Sequence, residues 1–431
     1  MIYRLRRWSA ALLLGMFLSL LSILQCFAAG TVSQVNLHIG QTPDAVYLTY
    51  SASDAAQGVF SVTGPNGTAD YAANPVWSDS AGKYLYSAKV DELAPDTNYT
   101  YNLAGSYSGT FKTPAETGAF TFAFLTDTQI GFAADAKATG AMFSLLNSRD
   151  DLVFAYIAGD MTDSSRNERQ WEMLFENGGV NSGAGQNFFG SHLIATAQGN
   201  HDNSSFSGHI TAPCANSGVG PVVYAFDYSN VKFVVLNMNT PGTWAAQAAD
   251  AKNNGKWLVA CFHQSLYSGA AHIVDSGIIS ARKFWSPLFA ELGVDLVLQG
   301  HDHVYARGFV TGTGSNANLT AENNIYHVVS GIPLYITGGH SGAVKWYAAR
   351  NYQISAGDPL TPNYSFLDVN SAAPAQNPWG TDTSKTHEQT YILINVNGDT
   401  MTISTYMFRY DGISDKMATP PYLYDSLTIS R

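Results

Sequence analysis

Five short apolar runs in the central part of the chain each end in residues of the kind that bind metals or move protons. One run ends at Asp127, with Gln129 two residues on; the others end at Asp160, at Asn200 and His201, at His263, and at His301 with His303. Carboxylate, amide and imidazole donors without a thiolate suit Zn, Mn or Fe rather than a sulfur-seeking metal. Any one cluster alone says little, because a Gly-Asp pair is commonly a turn and a single histidine is commonly a core or surface residue. Five run-ends of one chemical type within one stretch of chain point to a metal site assembled by convergence.

The runs themselves say what must position these groups. Phe122–Asp127, Leu152–Asp160, Leu193–His201, Trp257–His263 and Val294–His301 are near-continuous apolar segments of strand length, the pattern of buried strands flanked by helices. Helical stretches are expected over 134–148, 167–176 and 280–292. The reading is an α/β domain that gathers polar residues at the carboxyl ends of its strands, where open sheets of this kind bind ligands. Segments 390–397, 400–406 and 425–430 alternate as strands and are expected to close the second sheet. Ahead of this domain, β-type runs at 33–37, 45–50, 58–62, 84–90, 99–104 and 108–112 suggest a small β-sandwich. The turn-rich stretch 113–118 follows as a linker.

Composition bounds the remaining classes. The chain has 431 residues, 22 Lys+Arg against 33 Asp+Glu, and a net charge of −11. That balance lacks the basic footprint of nucleic-acid binding, so no nucleic-acid partner is expected. Residues 1–29 begin with Arg4, Arg6 and Arg7 and continue without a charge from Trp8 to Phe27. This reads as a cleaved export signal with a secreted or periplasmic product; an uncleaved anchor is the alternative, the apolar stretch being long enough to span a bilayer. Cleavage shifts the net charge to −14, since the leader holds three arginines and no acidic residue. No other membrane association is expected, and the oligomeric state is left open. Of the three cysteines, Cys26 lies in the leader, Cys261 reads as a buried thiol, and a disulfide from it to Cys214 is not favoured.

The blocks Asp127-Thr-Gln129, Gly159-Asp160, Gly199-Asn-His-Asp202, Phe262-His263 and Gly300-His-Asp-His303 resemble, in order, those of the calcineurin-like metallophosphoesterase superfamily. Gly300-His-Asp-His-Val-Tyr-Ala-Arg307, with Trp257 before His263 and Leu266-Tyr267 after it, is similar to the purple acid phosphatase branch. Leu93–Tyr101, Gly109–Pro114 and Tyr410–Asp415 agree with that branch. Beyond the signal peptide read over 1–29, the resemblance implies a fibronectin-III-like β-sandwich over 30–115 and a four-layer αββα catalytic domain over 119–431. It implies two divalent metal ions, identity Fe, Mn or Zn, with Asp160 bridging them. Asp127 and His303 would complete one site, and Asn200, His263 and His301 the other. Hydrolysis of a small-molecule phosphate ester by a metal-bound hydroxide would follow, a clamp on both oxygens of an in-line displacement, with His201 assisting the leaving group. Asn200 and His201 would also touch substrate. Phosphomonoesters are the leading substrate class, phosphodiesters the runner-up, and a noncatalytic surface or carbohydrate-binding protein is the alternative of another class.

Two positions depart from the branch pattern. Asp163 stands where a tyrosine ligand to ferric iron is expected, which implies a colourless enzyme. Gln129 stands in the place of a histidine ligand of the wider superfamily; it either ligates through its weaker amide oxygen or hydrogen-bonds a water. Arg307 is either a bidentate phosphate donor or half of a structural ion pair. His340 is either a cleft residue or a surface-loop histidine, the latter favoured. His192, His209, His272 and His387 receive no role.

Overall fold

The computed structural model describes residues 31–431 except 56–57, 104–105, 203–204, 212, 214–221, 249–255, 315–316, 318, 343–344, 346 and 348–387. The leader 1–29, Cys214 and His387 therefore lie outside the described residues. Among the described residues no helix is long and apolar enough to cross a membrane.

Seven strands come first: β1 (Val32–Ile39), β2 (Val46–Ala52), β3 (Gly58–Gly64), β4 (Gly67–Ser78), β5 (Lys83–Val90), β6 (Asn98–Leu103) and β7 (Tyr107–Lys112). They form two ladders, β1-β2-β5-β4 and β4-β3-β6-β7, which share β4. The first part of β4 pairs with β3 and its end, from Asn74 to Ser78, pairs with β5. Pro75 sits just past this change of partner, a point where a missing N–H is tolerated. Sequence pattern alone misses β4, because its exposed, Asp- and Pro-containing run lacks the apolar alternation of a strand.

Thirteen strands follow: β8 (Phe120–Leu125), β9 (Leu152–Ile157), β10 (Leu193–Thr196), β11 (Tyr224–Tyr228), β12 (Val231–Val235), β13 (Trp257–Cys261), β14 (Leu296–Gln299), β15 (Tyr305–Phe309), β16 (Ile325–His327), β17 (Leu334–Gly338), β18 (Glu388–Asn397), β19 (Thr400–Asp411) and β20 (Lys416–Ser430). One sheet runs β16-β20-β19-β18-β8-β9-β10 and continues through β1 into the amino-terminal strands; the other runs β11-β12-β13-β14-β17-β15. The expectation that the carboxyl-terminal strands close the second sheet is corrected here. β18 pairs antiparallel with β8, so these strands widen the sheet that already holds β9 and β10. The join to the amino-terminal strands is a parallel pairing of β1 with β10, Leu37 opposite Leu193 and His38 opposite Ile194.

The two central sheets meet through stacked and edge-on rings. Phe122 and Phe154 lie 5.0 Å apart in parallel planes, and Phe233 meets both edge-on at 5.3 and 5.4 Å. Aromatic contacts of this geometry add to the burial that drives the sheets together. Helices α1 (Ala133–Asn147), α2 (Glu168–Glu176) and α3 (Ala184–Phe189) contact β1 and β19 of the first sheet. Short α4 (Phe206–His209) and α5 (Trp244–Ala248) follow, and α6 (Ser276–Leu292) packs Trp285 and Phe289 against Phe262, Leu266 and Val297 on the second sheet. The expected helices are present, and α6 starts one turn earlier than read.

A polar seam ties the amino-terminal strands to the loops after β9 and β10. Glu168 on α2 accepts from Lys83 at 2.7 Å and from Gln34 at 2.5 Å, and lies 3.2 Å from His209 Nε2. Asn36 Nδ2 donates to the His209 carbonyl at 2.9 Å. His209, given no role from sequence, is thus part of the frame that holds the loop beyond His201.

Candidate metal centre

The strand ends of both sheets open onto one place. Asp127, Gln129, Asp160 and His301 all have positive φ, 51°, 35°, 48° and 71°. Four non-glycine residues in a disfavoured region at one site is the kind of local strain that surrounding structure must hold in place. Gly300 shows how tightly: a Cβ there would run into the Thr126 hydroxyl and lie 2.6 Å from Asp127 Oδ2. Only glycine lets the His301 turn come this close to the Asp127 carboxylate.

The resulting contacts bring the expected residues together. Asp127 Oδ2 accepts from the backbone N–H of His301 at 2.8 Å, while Oδ1 accepts no hydrogen bond and faces His303 Nε2 at 3.3 Å. Asp160 Oδ1 accepts from the backbone N–H of His201 at 2.8 Å, and Oδ2 lies 3.2 Å from His263 Nε2. Asn200 Oδ1 lies 3.0 Å from the same Nε2. Asp160, His263 and His301 each offer a ligand atom within 4.8 Å of the others.

Whether these groups fit a metal follows from the far side of each ring. His263 Nδ1 is 2.7 Å from the Ala158 carbonyl and His303 Nδ1 is 2.6 Å from the Lys345 carbonyl. A carbonyl can only accept, so both Nδ1 atoms carry hydrogen and both Nε2 lone pairs face inward, the tautomer that metal-bound histidines need. At His263 that lone pair meets two further acceptors, Asp160 Oδ2 and Asn200 Oδ1. Such converging acceptors are stable only around a cation or a proton. Burial opposes charge on His263, but the Asp160 and Asp127 carboxylates outweigh it and push the imidazole up to about 10. Burial likewise raises Asp127 and Asp160, yet the histidines beside them bring both carboxyls below their usual range. The donor set fits divalent cations.

Gln129 and His201 stand at the rim. His201 Nδ1 donates to the Asp163 carbonyl at 2.6 Å, and Gln129 Nε2 lies 3.0 Å from His201 Nε2 and 3.1 Å from Asp163 Oδ1. Gln129 Oε1 is buried and accepts no hydrogen bond. The sequence alone missed three neighbours. Asp202 accepts from the backbone N–H groups of Asp160 at 2.7 Å and Gly199 at 2.9 Å, locking the two ligand loops; burial and then the Asp160 charge push it up to about 7. The His272 ring lies 4.3 Å from that of His301, with its Nε2 3.3 Å from the Tyr347 hydroxyl and its Nδ1 2.8 Å from Asp275. The Tyr347 ring in turn lies 4.8 Å from that of His303. Nothing in local pattern marks His272 or Tyr347; Asp202 closes the block Gly199-Asn-His-Asp202, the one signal available.

One secondary reading left open is decided and another is corrected. Arg307 does not reach for phosphate: its Nε and Nη2 donate to Asp425 at 2.6 and 3.1 Å, with both side chains almost fully buried. β15 and β20 place that pair, and its charge is spent inside the protein. His340 is fully buried rather than on a surface loop, its ring 5.9 Å from that of His303.

Residues 120–305 match the calcineurin-like phosphoesterase family. A phosphoenolpyruvate phosphatase of Allium cepa is 24% identical over 305 residues, 64% of this chain. The chain spans 61% of that relative's length, less than two thirds. An uncharacterized protein of Mycobacterium tuberculosis is 41% identical over 66 residues, 14% of this chain and 12% of its own. Among solved structures, a purple acid phosphatase from yellow lupin (Lupinus luteus) seeds superimposes with a TM-score of 0.66 at 15% identity, covering 93% of this chain and 75% of the lupin one. Residues 120–305 thus carry the calcineurin-like phosphoesterase domain, within a fold similar to that of the lupin purple acid phosphatase.

Proposed function

We propose that this protein is an exported phosphomonoesterase working with two divalent metal ions. The observation that carries the reading is the convergence of His263 Nε2, Asp160 Oδ2 and Asn200 Oδ1, three electron-rich atoms within 3.2 Å of the imidazole nitrogen. The metals, when bound, would supply positive charge for the phosphate oxygens and activate water. Asp127 with His303, and Asn200 with His263 and His301, would hold them, Asp160 lying between.

The protein's own groups supply the rest. The Ala158 and Lys345 carbonyls fix the His263 and His303 tautomers, and Asp202 fixes the Asp160 and Gly199 backbone, so the donors are oriented before anything binds. His201, its Nδ1 hydrogen given to the Asp163 carbonyl, presents Nε2 at the partly open rim. As the site stands Nε2 accepts from the Gln129 amide; a proton taken up there as that amide turns away would pass to the departing alkoxide as the phosphorus–oxygen bond breaks. Asn200 and His201 together form the wall that substrate would touch.

The domain reading belongs to this proposal: a fibronectin-III-like sandwich over 30–115, an αββα domain over 119–431, and a leader over 1–29 removed on export. The test is metal-stripped protein reconstituted with Mn, Fe or Zn and assayed on aryl phosphate monoesters and diesters. Monoester turnover that returns only with metal is expected. Preference for diesters would change the substrate class, and no turnover on either would leave a noncatalytic binding protein.

A further inference from the structure

A groove of about 400 Å³ lies between the amino-terminal strands and the loop beyond His201. Its volume falls within the range of small-molecule sites. One wall comes from the end of β4 and the turn after it, with Trp77, Ser78 and Ser80; the facing wall comes from α4 and its flanks, with Ser205, Ser207 and Thr211. Among the described residues, no charged side chain lines it.

Trp77 is the unusual member. Half of it is exposed, although an indole of this size normally gains by burial. It is nonetheless held in place: its N–H donates to Asp79 at 2.8 Å and Tyr84 meets it edge-on at 5.0 Å. Satisfying the N–H leaves the ring as an apolar platform. Around it stand hydroxyls that both donate and accept. A fixed aromatic face ringed by hydroxyls, with no charge, matches one ligand chemistry: a neutral sugar ring, whose C–H face lies on the indole while its hydroxyls exchange hydrogen bonds with the serines. A phosphate or carboxylate finds no cation here.

We infer that this groove is a binding site for a neutral carbohydrate, with Trp77 as its stacking platform. Ser205 follows His201 by four residues, so a bound sugar lies against the loop that carries the proposed leaving-group acid. The site stands apart from the metal centre and binds whether or not that centre turns over.

The test is saturation-transfer NMR on the whole protein, metal-stripped so that turnover plays no part. The probes are maltotriose, cellotriose and triacetylchitotriose. At least one is expected to bind, with about tenfold weaker affinity in Trp77→Ala and a smaller loss in Trp77→Phe. Ser207 is exposed, and Ser207→Phe should fill the groove from the opposite wall and abolish binding without touching the platform. Absence of transfer to all three sugars overturns the inference. So does binding that both Trp77→Ala and Ser207→Phe leave unchanged.

Discussion

The Gln129 side-chain amide donates to the Asp163 carboxylate at 3.1 Å. These are the two positions at which the chain departs from the family pattern that its site blocks resemble, and they depart together. A histidine at 129 and a tyrosine at 163 would each point a ligand at metal; a glutamine and an aspartate bind each other and His201 instead, leaving Gln129 Oε1 buried and without a hydrogen bond. Gln129→His should therefore tighten one metal ion by about tenfold or more, read by titration calorimetry on stripped protein. Unchanged affinity would confine Gln129 to holding His201.

With Asp163 in the tyrosine's place, the metal-loaded protein should be colourless. Tyr347 is the tyrosine beside His303, and its hydroxyl is turned to His272. A visible charge-transfer band on loading with iron would show that a phenolate has reached the metal after all.

Replacing His201 should depress turnover by about 10² to 10⁴, the usual worth of a positioned acid. His201→Asn should harm alkyl phosphates, which need a proton on the leaving oxygen, far more than nitrophenyl phosphate. An equal loss for both would assign His201 to holding its loop. Asp202→Asn, which touches no substrate, should weaken metal affinity by about 10 to 100 fold, measured by competition with a chelator.

Arg307 and Asp425 separate stability from substrate binding. Tyr305 also donates to Asp425, at 2.7 Å, so Asp425→Ala strands a buried guanidinium and a buried phenol. Breaking one side of such a pair is worth about 3–5 kcal/mol, which chemical denaturation would record. Arg307→Lys should lower stability with KM unchanged; a raised KM would return Arg307 to the substrate.

His38 sits wholly buried on β1, its Nδ1 3.0 Å from the Ile39 carbonyl and its Nε2 3.2 Å from the Tyr224 hydroxyl. Burial pushes it down to about 4, against about 6.5 in the unfolded chain. The neutral ring is native, so its contribution is intact above pH 6.5 and is lost as pH falls toward 4, by up to about 3 kcal/mol. Thermal unfolding should show this acid loss, and His38→Gln should flatten it.

What the sequence disclosed was local. The runs ending at Asp127, Asp160, His201, His263 and His303 are legible because burial on both faces forces continuous apolar residues and a strand's end forces a polar turn. His272 and Tyr347 were silent because their roles are set by contacts across the chain, and no spacing rule links His272 to His301; Asp202 showed only as the last residue of its block. β4 was silent because its exposed face has no apolar alternation to read. The pairing of β1 with β10 was silent for the same reason as the Gln129–Asp163 contact: partners far apart in sequence leave no periodic trace.

That pairing also orders events in time. β1 leaves the ribosome well before its neighbour β10, whose Leu193 lies 156 residues beyond its partner Leu37. Until then Leu37 and Ile39, fully buried in the finished protein, stand on an open strand edge, a template for the wrong chain. Translation beyond residue 196 is thus a condition for safe maturation, and a nascent chain stalled short of it should be a client for whatever chaperone shields open strand edges.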